Sequence, residues 1–203
     1  MCIRDRFKVI GRQPGPWYVL IANTAQQATL LGLMTYFAAY MIEGYGWDEA
    51  NTAPGLALLG VGAVIGSFAG GVLAGRTRSL EWLAAISLAG GVVTGLLFAL
   101  DLSAWIVVAM AFVASVLVSV SMPVLMTLIM HLAGQSRGTA GGMFSTSNQA
   151  GGVVGASAGG LMLSLGGYSS VGLLYLVAAV LSASVIGIIM RRSPAFRLIG
   201  TGT

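Results

Sequence analysis

Long apolar runs separated by short polar segments form the main pattern of the chain. A helix of about 20 apolar residues crosses roughly 30 Å of hydrocarbon at about 1.5 Å per residue. The pattern predicts six such spans, at residues 17–42, 51–75, 80–100, 104–130, 139–164 and 170–190. All four tryptophans fall at or just outside the span ends: Trp17, Trp47, Trp82 and Trp105. Amphipathic indole rings prefer the headgroup level, so we expect an all-α membrane protein with these boundaries.

The polar segments between the spans divide by charge, and this division predicts orientation. All Lys and Arg residues precede the first span, follow the sixth, or lie between spans two and three or four and five. The alternate segments carry acidic residues instead: Glu43, Asp48, Glu49 and Asp101. Because basic residues near span ends are retained in the cytoplasm, we expect both termini there. The predicted division is a cytoplasmic lead-in (7–16), a six-helix transmembrane domain (17–192) and a cytoplasmic tail (193–203).

Composition supports membrane embedding and excludes several other classes. Hydrophobic residues make up 57% of the chain and charged residues only 8%, with a mean hydropathy of +0.90. A soluble domain needs more charge on its surface. The net charge of +4 comes from dispersed residues rather than one basic face, which argues against nucleic-acid binding. The single cysteine, Cys2, excludes an internal disulfide and a cysteine-based metal cluster, and we expect no cofactor or metal.

The first six residues, MCIRDR, look like the translated end of a transposon used in sequencing libraries. We therefore expect residues 1–6 to be an artefact and the natural protein to continue upstream. A signal peptide is the alternative explanation for a basic start. However, no apolar segment with a small-residue cleavage site follows before Pro14 and Pro16.

Two of the predicted spans contain glycines at four-residue spacing. We call these rows the second-span ladder (Gly62, Gly66 and Gly70) and the fifth-span ladder (Gly151, Gly155 and Gly159). Small residues at this spacing let membrane helices approach closely, because association in lipid depends on van der Waals fit. Spans two and five occupy corresponding positions in a three-plus-three arrangement, which indicates an inverted repeat. The alternative is that the glycines provide only tight packing and take no part in motion of the helices.

Polar side chains at membrane depth occur on the first and fifth spans. Asn23 and Gln27 are four residues apart on one helical face, with Gln26 adjoining, and Asn148 and Gln149 are on the fifth span. Measured from the span starts, Gln27 lies about 15 Å deep and Asn148 and Gln149 about 14 and 15 Å deep, so the two groups converge near the bilayer midplane. We predict that Asn23, Gln27, Asn148 and Gln149, with Gln26 in reserve, form hydrogen bonds with a small-molecule solute. The alternative is that they bond neighbouring helices as structural contacts.

Three further residues indicate a gate or a kink. Tyr36 and Tyr40 lie about 28 and 34 Å along the first helix, which favours an outer aromatic belt or gate over the binding site. Pro123, late in the fourth span, should kink that helix and free a carbonyl group. The kink either takes part in gating or is accommodated in the helix without a functional role.

Two segments resemble the C-terminal half of a major facilitator superfamily transporter. They are GVLAGRTR at Gly71 to Arg78 and RGTAGGMFSTSNQAGGVVGASAGG at Arg137 to Gly160. The first is similar to the family's cytoplasmic turn, here Gly71, Gly75, Arg76 and Arg78, although Gly75 replaces the family's aspartate. The resemblance implies a missing N-terminal six-helix half, a cavity faced by the first helix of each triplet, and alternating-access transport. Efflux of a drug-like or metabolite compound across a bacterial inner membrane is the expected activity.

Three other functions fit parts of the pattern. A six-span protein could act as a half-size homodimeric carrier or as a membrane scaffold without transport. Gly155 to Gly159 also matches the G-x-S-x-G motif of serine hydrolases, with Ser157 as nucleophile and His131 as base. The predicted topology places His131 at the cytoplasmic end of span four and Ser157 about 27 Å along span five. They would not meet, so we expect no enzyme.

Overall fold

A computed structural model describes residues 14–76 and 78–192. Within these ranges every regular element is helical. We number the helices α1 (Pro14–Tyr45), α2 (Glu49–Ala74), α3 (Ser79–Ala99), α4 (Ala104–Ser119), α5 (Ser121–Ala133) and α6 (Arg137–Arg192), with a 3₁₀ turn at Gly134–Ser136. The predicted artefact (1–6), residues 7–13 of the lead-in and the tail (193–203) lie outside the described residues. The chain is therefore all-α where it is described.

Two helix boundaries differ from the predicted pattern of six separate spans. Helices α4 and α5 together cover the predicted fourth span and are divided at Val120, three residues before Pro123. Helix α6 covers the fifth and sixth spans together, but its backbone is not helical at Gly166 and Gly167. Gly167 has φ +68°, in the left-handed region that glycine adopts without steric cost. We call residues 137–165 the first arm of α6 and residues 168–192 its second arm.

Three stretches of the described chain are long and apolar enough to cross a membrane: Glu49–Ala74, Ser79–Ala99 and Ala104–Arg191. The third contains 88 residues, which would measure about 130 Å as one straight helix, several times the thickness of a bilayer. It must therefore contain more than one crossing. Helix α1 is not among these stretches, and the number of six crossings stays a prediction.

The second-span ladder brings α2 against α4. Added methyl groups at Gly66 and Gly70 would overlap the backbone at Val116 and Val120, and one at Gly62 would lie 3.0 Å from the carbonyl oxygen of Phe112. The three glycines thus meet three residues that are also four apart, Phe112 and Val116 of α4 and Val120 at its C-terminal end. Only a residue without a side chain permits this backbone approach.

The fifth-span ladder brings the first arm of α6 against α1. A methyl group at Gly155 would overlap the backbone of Ala28, and one at Gly151 would lie 2.6 Å from the carbonyl oxygen of Thr24. At Gly159 the space is filled by the ring of Tyr36 instead. Each ladder therefore joins helices from different halves of the predicted three-plus-three arrangement.

Large apolar side chains cover much of the outer surface. Phe68 and Val72 of α2 are 77% and 61% exposed, and Trp105 of α4 is 75% exposed. Exposed apolar area of this kind marks a surface that faces membrane or another polypeptide rather than water. The exposure agrees with the apolar composition of the helices.

Candidate functional site

A buried amide of α1 contacts the first arm of α6. Asn23 is fully buried, and its Nδ2 donates to Ser147 Oγ at 2.7 Å and to Asn148 Oδ1 at 2.5 Å. Ser147 Oγ in turn donates to the carbonyl of Phe144 at 2.7 Å. The structure thus brings together two of the predicted site residues, Asn23 and Asn148. The contact requires the close approach that Gly151 allows one turn later.

A second amide of α1 contacts the second arm of α6. Gln26 is 1% exposed, and its Nε2 donates to Ser182 Oγ at 3.0 Å. Ser182 Oγ donates to the carbonyl of Ala22 at 3.2 Å, which closes a small ring of hydrogen bonds between the two helices. We use the name amide cluster for Asn23, Gln26, Asn148, Ser147 and Ser182.

The amide cluster retains unused acceptor capacity. Asn23 Oδ1 and Gln26 Oε1 are buried and lack a hydrogen-bond partner within the described residues. Leaving a buried carbonyl oxygen unbonded costs about 1–3 kcal/mol, so a hydrogen-bond donor that reached either atom would stabilise the cluster. The cluster therefore offers acceptors to a hydrogen-bond donor.

Gln27 and Gln149 are the other two predicted contacts. Gln27 is 7% exposed and packs against the backbone of α6 at Gly151. Gln149 is exposed, because it follows Asn148 by one residue and so points about 100° away around the helix. Asn148 itself is partly exposed. It is the member of the cluster that combines a cross-helix bond with access from outside the bundle.

Sequence reasoning missed Ser147 and Ser182. Ser147 lies four residues before Gly151 and so continues the fifth-span ladder along the face that contacts α1. That four-residue spacing was the signal that could have identified it. Ser182 is also fully buried, on the face of the second arm that includes Tyr175 and Ile186. Buried serines on a contact face are suited to pairing with amides on the opposite helix.

The two tyrosines predicted as a belt or gate are both buried. The Tyr36 hydroxyl donates to the carbonyl of Ala156, and the Tyr175 hydroxyl donates to the neighbouring carbonyl of Gly155 at 3.1 Å. Tyr40 packs among other rings, with centroid distances of 4.7 Å to Tyr168, 5.4 Å to Tyr45 and 5.5 Å to Phe98. Tyr36 thus joins α1 to α6, and Tyr40 is the centre of an aromatic cluster. Neither contact shows whether Tyr36 or Tyr40 acts as a gate, so that role stays a prediction.

Pro123 lies beside the second-span ladder. A methyl group at Gly70 would come within 2.6 Å of Pro123 Cγ. Thr127 Oγ1 donates to the Pro123 carbonyl at 2.8 Å. Pro123, just after the break between α4 and α5, therefore packs against α2. A break near proline is expected because proline has no backbone N–H to donate within the helix.

The turn motif of Gly71, Gly75, Arg76 and Arg78 lies where α2 ends and α3 begins. Gly75 ends α2, and Arg78 precedes α3 with φ +66°, a left-handed conformation. Arg78 Nε donates to Glu81 Oε2 at 2.7 Å, while the two side chains are 73% and 54% exposed. An exposed pair of this kind contributes about 0–1 kcal/mol.

Ser157, the nucleophile of the hydrolase alternative, lies on an exposed face in the middle of the first arm. Its hydroxyl donates to the carbonyl of Val153 at 2.6 Å. The surrounding backbone is helical rather than the strand-to-helix turn that this motif requires. His131 lies near the end of α5, in a surface depression that also includes Met126, Met130 and Arg137.

Comparisons with known proteins agree with the helical architecture. The family model described as "Major Facilitator Superfamily" matches residues 19–200. The protein named "Putative transporter AraJ" of Escherichia coli (strain K12) is 28% identical over 166 residues, which are 81% of this chain and 41% of that protein. The chain therefore spans less than half the length of this curated relative, and no solved structure matches it significantly. Since the family model covers most of the chain, the protein belongs to the Major Facilitator Superfamily of integral membrane transporters.

Proposed function

We propose that the chain forms one six-helix half of a twelve-helix transporter that moves a small solute by alternating access. Membership of the family supports transport in general, and the Escherichia coli relative is itself named a transporter. The chain corresponds to 41% of that relative, which leaves room for a second set of helices. Efflux of a drug-like or metabolite compound is the activity that we propose.

The reciprocal packing of the two ladders is the observation that carries this proposal. The second-span ladder contacts α4, which begins the second predicted triplet, and the fifth-span ladder contacts α1, which begins the first. An inverted repeat of three plus three helices pairs its members in this reciprocal way. The break at Gly166 and Gly167 supplies the remaining turn between spans five and six.

In this mechanism each half moves as a rigid unit, and the amide cluster provides the binding chemistry. Helices in direct backbone contact have little room to slide past one another, so the motion occurs between halves rather than inside one. Asn148 is the partly exposed member and would contact the solute. Asn23 would hold the Asn148 side chain in position through the 2.5 Å hydrogen bond. Gln26, Gln27 and Gln149 are the further proposed contacts.

We also propose that the protein resides in a bacterial inner membrane with both termini in the cytoplasm. The support is the distribution of Lys and Arg among the connecting segments and the bacterial source of the relative. Reporter fusions test this topology directly. Fluorescent fusions after residues 78 and 192 should be active and alkaline phosphatase fusions there inactive; the opposite pattern would contradict it.

A solute-accumulation assay tests transport. Cells that overproduce the full-length transporter should retain less of a fluorescent drug-like probe such as ethidium than cells with an empty vector. Adding a protonophore shows whether the difference depends on the membrane gradient. A panel of dyes and metabolites extends the test. Equal retention of every probe in both cell types would argue against efflux and favour the scaffold alternative.

A further inference from the structure

A serine hydroxyl at the end of α4 is buried without a hydrogen bond. Ser119 is the last residue of α4 and is 4% exposed. Its Oγ atom is shielded from solvent and lacks a partner within the described residues. A hydroxyl group that loses water on folding and gains no partner lowers the stability of the fold. Ser119 is therefore a candidate position for a small hydrogen-bonding ligand.

The backbone carbonyl of Ser119 also lacks its usual donor. In a regular α-helix this carbonyl would accept a hydrogen bond from the N–H of residue 123. Residue 123 is proline, which has no N–H and whose ring crowds the carbonyl four residues earlier. Between them, Val120 keeps right-handed helical angles of φ −57° and ψ −30°. Ser119 thus combines a hydroxyl group without a partner and a carbonyl group without its helical donor.

The neighbouring hydroxyl groups do not bond to Ser119. Three of them lie on the same segment, and each donates to a different backbone carbonyl: Ser115 to Leu59 at 2.6 Å, Ser121 to Val118 at 2.7 Å and Thr127 to Pro123 at 2.8 Å. Their donors are therefore already used. A partner for Ser119 has to come from outside the side chains of α4 and α5.

The position of Ser119 lies inside the chain, against the second-span ladder. A methyl group added at Gly66 would lie 2.9 Å from Ser119 Cβ, and one at Gly70 would lie 2.6 Å from Pro123 Cγ. Both contacts join α2 to the break between α4 and α5. Because they form within one chain, the site does not depend on what covers the outer faces of the helices.

The space near the break suits a ligand of the size of water. A depression of about 30 Å³ begins one residue beyond Pro123 and is lined by Val124, Thr127 and His131 of α5. A single water molecule needs about 10–15 Å³. A hard cation such as Mg²⁺ would need about six oxygen ligands. A larger solute would not fit between helices that touch at Gly66.

We propose that one water molecule is bound at the break between α4 and α5. The water donates to the carbonyl oxygen of Ser119 and forms a second hydrogen bond with Ser119 Oγ. It replaces the N–H that Pro123 lacks, as ordered waters do in other membrane helices that contain proline. The depression at Thr127 and His131 gives water an approach from the end of α5. The site does not depend on the direction or the substrate of transport.

Radiolytic hydroxyl labelling tests this proposal. An X-ray pulse converts bound water to hydroxyl radicals, which oxidise the side chains next to it, and mass spectrometry locates the oxidised residues. In the full-length transporter, Val120 and Pro123 should be oxidised, although Val120 is only 4% exposed. Ser119→Ala removes one of the two hydrogen bonds of the water. It should lower this oxidation about fivefold, which corresponds to about 1 kcal/mol.

A matched substitution one turn earlier controls for the loss of a buried hydroxyl. Ser115 is fully buried and bonds directly to the carbonyl of Leu59, so Ser115→Ala should leave oxidation of Val120 unchanged. If Ser119→Ala does not fold, as judged by circular dichroism, Pro123→Ala restores the missing N–H and should also lower oxidation of Val120. Equal oxidation in the Ser119→Ala and Ser115→Ala variants would overturn the proposal. So would absence of oxidation at Val120 in the unaltered protein.

Discussion

The two glycine ladders use the same spacing but contact chemically different surfaces. Gly62 and Gly66 of α2 meet α4, and Gly70 meets the residues just after it, mainly through backbone atoms and small side chains. One hydrogen bond, from Ser115 Oγ to the Leu59 carbonyl at 2.6 Å, also joins α4 to α2. Gly151 and Gly155 meet α1 beside hydrogen bonds from Asn23, Tyr36 and Tyr175. Both contacts therefore combine close packing with hydrogen bonds to backbone carbonyls, and the fifth-span contact adds a bond between two side-chain amides, Asn23 and Asn148.

This difference predicts which ladder affects stability alone and which also affects solute recognition. Both ladders permit backbone approach, and both lie near buried oxygen atoms that lack a partner among the described residues, Ser119 Oγ next to Gly66 and Asn23 Oδ1 near the fifth-span ladder. Only the fifth-span ladder lies beside the amide side chains that are proposed to bind the solute. A change in the second-span ladder should affect folding alone. A change in the fifth-span ladder should affect folding and, under the proposed function, solute binding as well.

Adding a methyl group to either ladder should have the largest effect. Gly66→Ala and Gly155→Ala would overlap the backbones of Val116 and Ala28, so each should lower the free energy of unfolding by about 1–3 kcal/mol. Unfolding in dodecyl sulfate mixed micelles, followed by circular dichroism, measures the change. Gly155→Ala should also raise the apparent KM for the solute, whereas Gly66→Ala should not.

Two glycines provide controls for helix propensity. Gly71 in α2 and Gly142 in α6 have open space where a methyl group would be added. Their alanine variants should be neutral or more stable by up to about 1 kcal/mol. If these controls lose as much stability as the ladder variants, close packing at the ladders is not the cause.

Replacing Asn148 should have the next largest effect, and this effect should be on transport rather than on folding. Removing a solute hydrogen bond with Asn148→Ala should raise the apparent KM about tenfold, which corresponds to about 1.4 kcal/mol. Gln149→Ala changes the adjacent exposed amide and is the matched comparison. Transport kinetics of the full-length protein measure both. Unchanged KM in Asn148→Ala would remove it from the proposed site and leave a structural role.

The tyrosine hydroxyl groups at the α1–α6 contact should contribute less to stability than the ladder glycines. Tyr36→Phe and Tyr175→Phe each remove one hydroxyl that donates to a carbonyl of the first arm. Polar contacts between membrane helices average about 0.6 kcal/mol, so each variant should lose roughly that much stability. The same micelle unfolding assay applies. A loss several times larger would show that the rings themselves have moved.

The Arg78–Glu81 ion pair should have the smallest effect. Because both side chains are more than half exposed, Glu81→Gln should change the unfolding free energy by less than about 1 kcal/mol. Any effect should decrease in high salt, since exposed charges are screened. A large, salt-independent loss would indicate that the turn between α2 and α3 depends on the pair more than its exposure suggests.

The membrane helices and their glycine-mediated contacts could be predicted because their signals are local. A run such as 80–100 is apolar by composition, and rows such as Gly62, Gly66 and Gly70 lie on one helical face at any rotation of the bundle. The sequence also placed polar side chains of the first and fifth spans near one level, and the structure joins two of them, Asn23 and Asn148, at 2.5 Å.

The hydrogen-bond partners of the amide side chains could not be predicted from membrane depth alone. Asn148 and Gln149 have nearly the same depth, yet only Asn148 faces Asn23, because the rotation of the first arm is set by Gly151 and Gly155. Gln26 finds Ser182 on the second arm, whose position depends on the turn at Gly166 and Gly167. Such contacts follow from helix rotation and connection geometry, which an apolar pattern does not specify.

The amide cluster has a consequence for biosynthesis. The polar partners of α1 are far along the chain, with Asn23 bonded 124 and 125 positions later and Gln26 bonded 156 positions later. At about 5–20 residues per second, a ribosome needs from several seconds to half a minute to make those partners. The hydrogen bonds of Asn23 and Gln26 therefore form only after residues 147 and 182 have been made, so a chain interrupted before residue 147 should leave both amides of α1 without these partners.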